Sequence, residues 1–187
     1  MKKVIFSLVM VVCYASPVAA VDLTGRWGIN GNVGVLFPVG DLSDVADTSF
    51  VLGEKLLYGF RSNLIAEVNV SYAPLSEDED LEVLGINADL SVLELTGGIR
   101  YLLAPYGRMI PYVSGGLGIY ITSSNVNLSP LGFSSGENST EADVGLHVGG
   151  GFMYFLSDSL AFDMQGRLHV SNPDYFALTG GLSFFFR

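Results

Sequence analysis

The chain has 187 residues, 49% hydrophobic and 15% charged, with 9 basic against 19 acidic residues, a net charge of −10 and one cysteine. A chain this acidic is a poor partner for nucleic acid or an anionic lipid surface, and one cysteine cannot build a disulfide framework. Mean hydropathy is +0.44, yet beyond residue 20 no apolar run reaches helix-spanning length, so the apolar residues are spread by alternation, the composition of a membrane β-barrel.

The first twenty residues read as an address. Lys2 and Lys3 form a basic start, residues 4–15 an apolar core, and Val18, Ala19 and Ala20 a small-residue cleavage site, together an export signal over 1–20. The apolar run is too short to cross about 30 Å of hydrocarbon, and bulky Val12 before Cys13 argues against lipid attachment there. The mature chain is expected to start at Val21 as one barrel domain over 21–187. Losing Lys2 and Lys3 leaves seven basic residues against nineteen acids, a net charge of −12, and no cysteine.

After a short lead with Asp22 and Arg26, Trp27, Ile29, Val33, Val35 and Phe37 alternate with Gly28, Asn30, Asn32 and Gly34, a first strand that Pro38 ends. An acidic loop over 40–49 carries Asp41, Asp44 and Asp47. A second strand, 50–60, sets Leu52, Leu56, Tyr58 and Phe60 on one side, and Arg61, Ser62 and Asn63 make a tight turn. The third, 64–72, opposes Leu64, Ala66, Val68, Val70 and Tyr72 to Glu67, Asn69 and Ser71, the cleanest alternation in the chain.

A loop over 74–89 contains the acidic run Glu77, Asp78, Glu79, Asp80 and then Glu82. The fourth strand ends at Leu103, with Leu93, Leu95, Ile99 and Tyr101 against Glu94, Thr96 and Arg100, and Pro105 and Gly107 mark a turn. The fifth, 110–122, alternates Val113, Leu117, Ile119 and Ile121 with Tyr112, Ser114, Gly116, Gly118 and Tyr120; the Ser, Asn and Gly residues of 123–140 predict a mobile loop. The sixth, 141–155, sets Val144, Leu146, Val148, Phe152 and Tyr154 against Asp143, Gly145, His147 and Gly151. The seventh, 160–170, alternates Leu160, Phe162, Met164, Leu168 and Val170 with Asp163, Gln165, Arg167 and His169, and Asn172, Pro173 and Asp174 turn the chain.

The last strand, 176–187, places Phe176, Leu178, Gly180, Leu182, Phe184 and Phe186 opposite Ala177, Thr179, Gly181 and Ser183. Its length and terminal aromatics suit a strand that crosses lipid. Such a strand needs partners on both edges, so eight of them predict an all-β, eight-stranded, antiparallel up-and-down transmembrane barrel. Turns near Ser62, Gly107 and Ser157 are short, while the loops after strands one, three and five are long and polar. That alternation matches tight periplasmic turns and longer external loops.

The signal, the eight strands and the closing segment over 177–186 resemble the small outer-membrane β-barrel family of the OmpA/OmpX type. The resemblance covers the mature chain as a pattern and implies an outer-membrane monomer in contact with lipid and lipopolysaccharide. It also implies a structural, adhesive or surface-interaction role through the long loops rather than an enzymatic one. In that family a terminal aromatic is read by the barrel-assembly machinery; here Phe184 and Phe186 would carry the signal, with Arg187 following.

Glu67, Glu94, Arg100, Asp143, His147, Asp163, Arg167 and His169 fall on the polar faces. A barrel of eight strands is filled by side chains, so these are expected to pair inside it, with a gated pore or proton path as the alternative. His169, Val170, Ser171 and Asn172 resemble a His-x-Ser-Asn segment of the lipid A 3-O-deacylases, which would make His169 the base and Ser171 the nucleophile. That family orients its His with an acid from the last strand; residues 175–187 contain none, and Asp174 is the local substitute. Parity turns Val170 to lipid and His169 and Ser171 inward. Gly25, Arg26 and Trp27 resemble the opening of lipocalins, soluble carriers that would put the apolar faces inside. The acidic run Glu77 to Asp80 reads as a solvated loop, or else a contact for divalent cations or lipopolysaccharide, and lacks the ligand spacing of an EF-hand. No phosphate-binding glycine motif or zinc spacing occurs, so no metal or cofactor is expected.

Overall fold

Each alternating segment has an apolar face to cover and backbone groups to pair on both edges. In the computed structural model, which describes residues 21–39, 48–75, 86–128, 135–171 and 174–187, closure meets both needs. The strands are Trp27–Pro38 (β1), Ser49–Arg61 (β2), Leu64–Leu75 (β3), Ile86–Leu102 (β4), Met109–Leu128 (β5), Ser135–Phe155 (β6), Leu160–Val170 (β7) and Tyr175–Phe186 (β8). They form one closed barrel in chain order. β1 closes antiparallel onto β8, from Trp27 opposite Phe186 to Pro38 opposite Tyr175. The expected signal over 1–20, the acidic run Glu77 to Asp80, the centre of the first loop and Asn172 with Pro173 lie outside the described residues.

The two faces are inverted relative to a soluble barrel. Ile29, Val33, Leu52, Val70, Leu117, Leu146 and Leu182 point outward, 46–59% exposed, whereas Asn30, Lys55, Glu67, Glu94 and Arg100 are buried. A soluble carrier would need the opposite arrangement, so the lipocalin expectation is set aside. Aromatic pairs mark both ends of the outer band, as at membrane interfaces. Trp27 and Tyr58 meet at 4.7 Å near the short turns, and Phe37 and Phe176 at 6.2 Å near the long loops.

Strand length is uneven. β4, β5 and β6 have 17, 20 and 21 residues, against 11 to 13 for the others. The segment 123–140, expected as a loop, is largely strand: β5 runs to Leu128, β6 starts at Ser135, and their ladder continues from Ile121 opposite Ala142 to Leu128 opposite Ser135. Likewise β4 begins at Ile86, inside the expected second loop. A ladder is made by the backbone, so a Ser- and Asn-rich composition excludes a packed core without excluding a strand.

The short-turn end is stoppered by the lead before β1. Leu23 folds under the barrel into a cluster with Leu57, Ile65, Leu102, Phe155 and Phe185. Gly25, at φ +72°, makes the bend that only glycine adopts without strain, and its N–H donates to the Gly59 carbonyl at 2.6 Å. A Cβ at Gly59 would lie 2.1 Å from the Leu23 carbonyl oxygen, so the lead can approach β2 only at a glycine. The Arg26 guanidinium fastens it by donating to the carbonyls of Asp158 and Phe185 and to Ser159 Oγ.

Candidate functional site

Across the middle of the lumen lies a continuous polar layer. Arg100 is wholly buried; its Nε meets Glu67 at 2.5 Å, its Nη1 meets Asp163 at 2.5 Å, and its guanidinium sits 4.5 Å above the Tyr112 ring. Tyr112 donates to the other Asp163 oxygen at 2.6 Å. Arg167 reaches Glu67 at 2.7 Å and Glu94 at 3.3 Å. Lys55 Nζ donates to Gln165 at 2.6 Å, and Gln165 donates on to Ser114 at 3.0 Å. Buried charges persist when paired and hydrogen-bonded, and Lys55, Arg100 and Arg167 balance Glu67, Glu94 and Asp163.

Glu94 is the most heavily served acceptor. Asn69, Thr96 and Arg167 donate to its Oε1, and Ser71 and Tyr175 donate to its Oε2 at 2.9 Å each. Five donors leave it no capacity for a ligand. His169, 1% exposed, places Nδ1 3.0 Å from the Tyr120 hydroxyl and 3.7 Å from Glu94, and stacks on Tyr175 at 4.2 Å. His147 occupies space opened by two glycines: a Cβ at Gly98 or Gly116 would fall 3.0 or 2.7 Å from its ring.

Seven of the eight residues expected inside therefore meet in one layer. Asp143 does not; it is half-buried and has no hydrogen bond or ion pair to another described residue. The reason is its level: β7 pairs with β6 only from Leu146 downward, so among the described residues no strand faces Asp143 across that seam. For the hydrolase alternative, His169 is turned into the lumen and Val170 is half exposed on the outer wall. Asp174, the substitute orienting acid, instead accepts the Ser171 backbone N–H at 2.8 Å, as a turn cap. Phe184 and Phe186 stand side by side on the outer face of β8.

Sequence reasoning passed over Lys55 and the lumenal hydroxyls of Tyr112, Tyr120 and Tyr175. The signal was present: each sits at inward parity, and a polar tip on an aromatic in that position needs a partner. It also passed over Glu54, which sits at outward parity and is exposed.

The layer leaves little open space. The void beside Lys55, Arg167 and His169 measures about 20 Å³, room for about one water. Above it Leu36, Val51, Val92 and Tyr120 form a second apolar cluster, and below it lies the cluster that Leu23 closes.

An apolar outer wall, aromatic belts and a filled polar lumen define a transmembrane β-barrel. Residues 5–184 match the family model described as outer membrane protein beta-barrel domain, and the chain belongs to that family, whose place is the outer membrane. Among solved structures it is similar to OprG from Pseudomonas aeruginosa (TM-score 0.61, 16% identity, covering 88% of this chain and 97% of that one). It is also similar to Ail, the attachment invasion locus protein of Yersinia pestis (TM-score 0.58, 14% identity, 87% and 99%). A third is Neisserial surface protein A (TM-score 0.56, 14% identity, 87% and 98%). At these identities the likeness is one of fold. A comparison with curated protein sequences finds no match.

Proposed function

We propose that the protein is a non-enzymatic surface-interaction barrel, in which the closed lumen is an anchor and the long-loop end of β4–β6 presents a sheet edge to a partner. The observation that carries this is the unequal pairing of β6: it follows β5 from Ser135 to Tyr154, but its ladder with β7 ends where Leu146 meets Val170. Residues 135–144 thus offer, among the described residues, a row of backbone donors and acceptors without a neighbouring strand on one side, a template for an added strand. Glu141 and Asp143 lie on this segment, which favours an extended peptide carrying Lys or Arg.

The apolar band contacts outer-membrane lipid and lipopolysaccharide, and Phe184 with Phe186 serves the barrel-assembly machinery. The hydrolase reading is disfavoured because His169 faces Glu94 and Tyr120 rather than lipid.

The test is selection of displayed random peptides on the protein in nanodiscs, followed by Glu141→Pro and Ala142→Pro. Successive N–H groups point to opposite sides of a strand, so one of these removes a donor from the free edge and the other from the β5 ladder. Enrichment of basic extended peptides that is lost about tenfold or more in one variant, with the barrel still heat-modifiable on gels, is expected. Peptides indifferent to both prolines, or none enriched, would overturn the proposal.

A further inference from the structure

Between the aromatic belts, one charged side chain stands on the outer face of the described strands: Glu54, exposed at the centre of β2. Its outward neighbours are Leu52 and Leu56, and the belt-level residues Phe50 and Tyr58 lie four positions away on either side, about 13 Å along the strand. Across the ladders it faces Gly31 and Val70. It has no hydrogen bond or ion pair among the described residues. An ionisable group at this depth is expensive and marks a site unless a partner satisfies it.

The surroundings are shaped for a partner. Glu54 lines a shallow groove of about 380 Å³ with Gly31, Leu52, Val70 and Tyr72. Gly31 opens its floor: a Cβ there would meet nothing within 4 Å. Lipid tails have neither donor nor acceptor, so hydrocarbon holds a carboxyl only when it is neutral or paired. A carboxylic acid offers one O–H and one carbonyl oxygen, and a second carboxyl supplies the matching pair. Two barrels inserted in the same direction and related by a twofold axis along the membrane normal bring a residue near the axis against itself at equal depth. Glu54 meets that condition with itself; any other protein would need a donor at the same depth.

We propose that the outer face of β1–β3 around Glu54 is a self-association face, across which the Glu54 carboxyls of two copies hydrogen-bond to each other within the membrane. This departs from the monomer expected from the sequence and does not depend on what the β4–β6 edge binds.

The test uses the full-length exported protein in its native membrane and in lipid vesicles. The expected mature chain has no cysteine of its own, so Leu56→Cys reports contact near the proposed axis and Val148→Cys on β6 reports the opposite wall. Oxidation by copper-phenanthroline and dissolved oxygen, which reach thiols within the bilayer, should join two copies by a disulfide through position 56 and leave position 148 unlinked. In the Leu56→Cys background, Glu54→Gln keeps a donor and an acceptor and should hold the dimer yield within a few-fold, whereas Glu54→Leu should lower it about tenfold. Glu54→Leu removes a lipid-facing charge, so heat-modifiable mobility should show it still folded. Equal yields in all three, loss with Gln as with Leu, linkage through position 148 alone, no dimer in any, or an adduct with a different protein would each overturn the proposal.

Discussion

Two glutamates on opposite faces of the same sheet are treated in opposite ways. Glu94 points inward and accepts hydrogen bonds from five side chains; Glu54 points outward and accepts none among the described residues. A lumen narrow enough to be filled brings every strand within reach of its centre, so a charge placed there finds partners from across the barrel. The outer wall curves away from itself and its neighbours are lipid, so a charge there must find a partner in another molecule. Parity therefore decides whether an acid is structural cement or an unmet demand.

Removing partners inside should be costly, and the size of the cost grades the comparison. Arg100→Ala leaves Glu67 and Asp163 buried without their main cation and should destabilise the barrel by about 3–5 kcal/mol. Urea titration of vesicle-inserted protein, followed by fluorescence of the lone Trp27, measures it; a loss below about 1 kcal/mol would mean that the layer is wetter than its geometry. Glu94→Leu orphans donors on four strands and should cost about 2–4 kcal/mol, with Glu94→Gln recovering roughly half in the same titration. Gly116→Ala drives a Cβ to 2.2 Å from the Gly97 carbonyl oxygen and should cost about 1–3 kcal/mol by overpacking.

Outside, the sign should reverse. Glu54→Leu at high dilution in lipid, where copies do not meet, should stabilise the barrel by about 1–2 kcal/mol in the same titration. A loss would show that Glu54 already has an intramolecular partner, and would erase the contrast.

Much of this was legible from a period of two. Alternation alone put Glu67, Glu94, Arg100, Asp163, Arg167 and His169 on one face and the Leu, Val and Phe residues on the other, and the aromatic ends with the small Gly-, Ser- and Asn-rich opposite face chose which face was inside. The pairings were not legible: Arg100 meets Asp163 across 63 residues of chain, and Arg167 meets Glu67 across 100. Those partners depend on strand tilt and register around the whole barrel, which no local pattern states. Asp143 shows the same limit, having the right parity at a level where its neighbouring strand has ended. The strand content of 123–140 escaped because its ladder is backbone, and Leu23 escaped because a residue before the first strand has no period to read.

The closed anchor beneath an open edge is tested most directly by single-channel recording of the purified protein in a planar bilayer in concentrated potassium chloride. The account predicts no discrete conductance steps across the full voltage range, because paired charges fill the middle of the lumen and apolar clusters stopper it above and below. Reproducible steps of a single size, abolished by boiling the sample and present without any added partner, would contradict it and make the polar layer the wall of a pore.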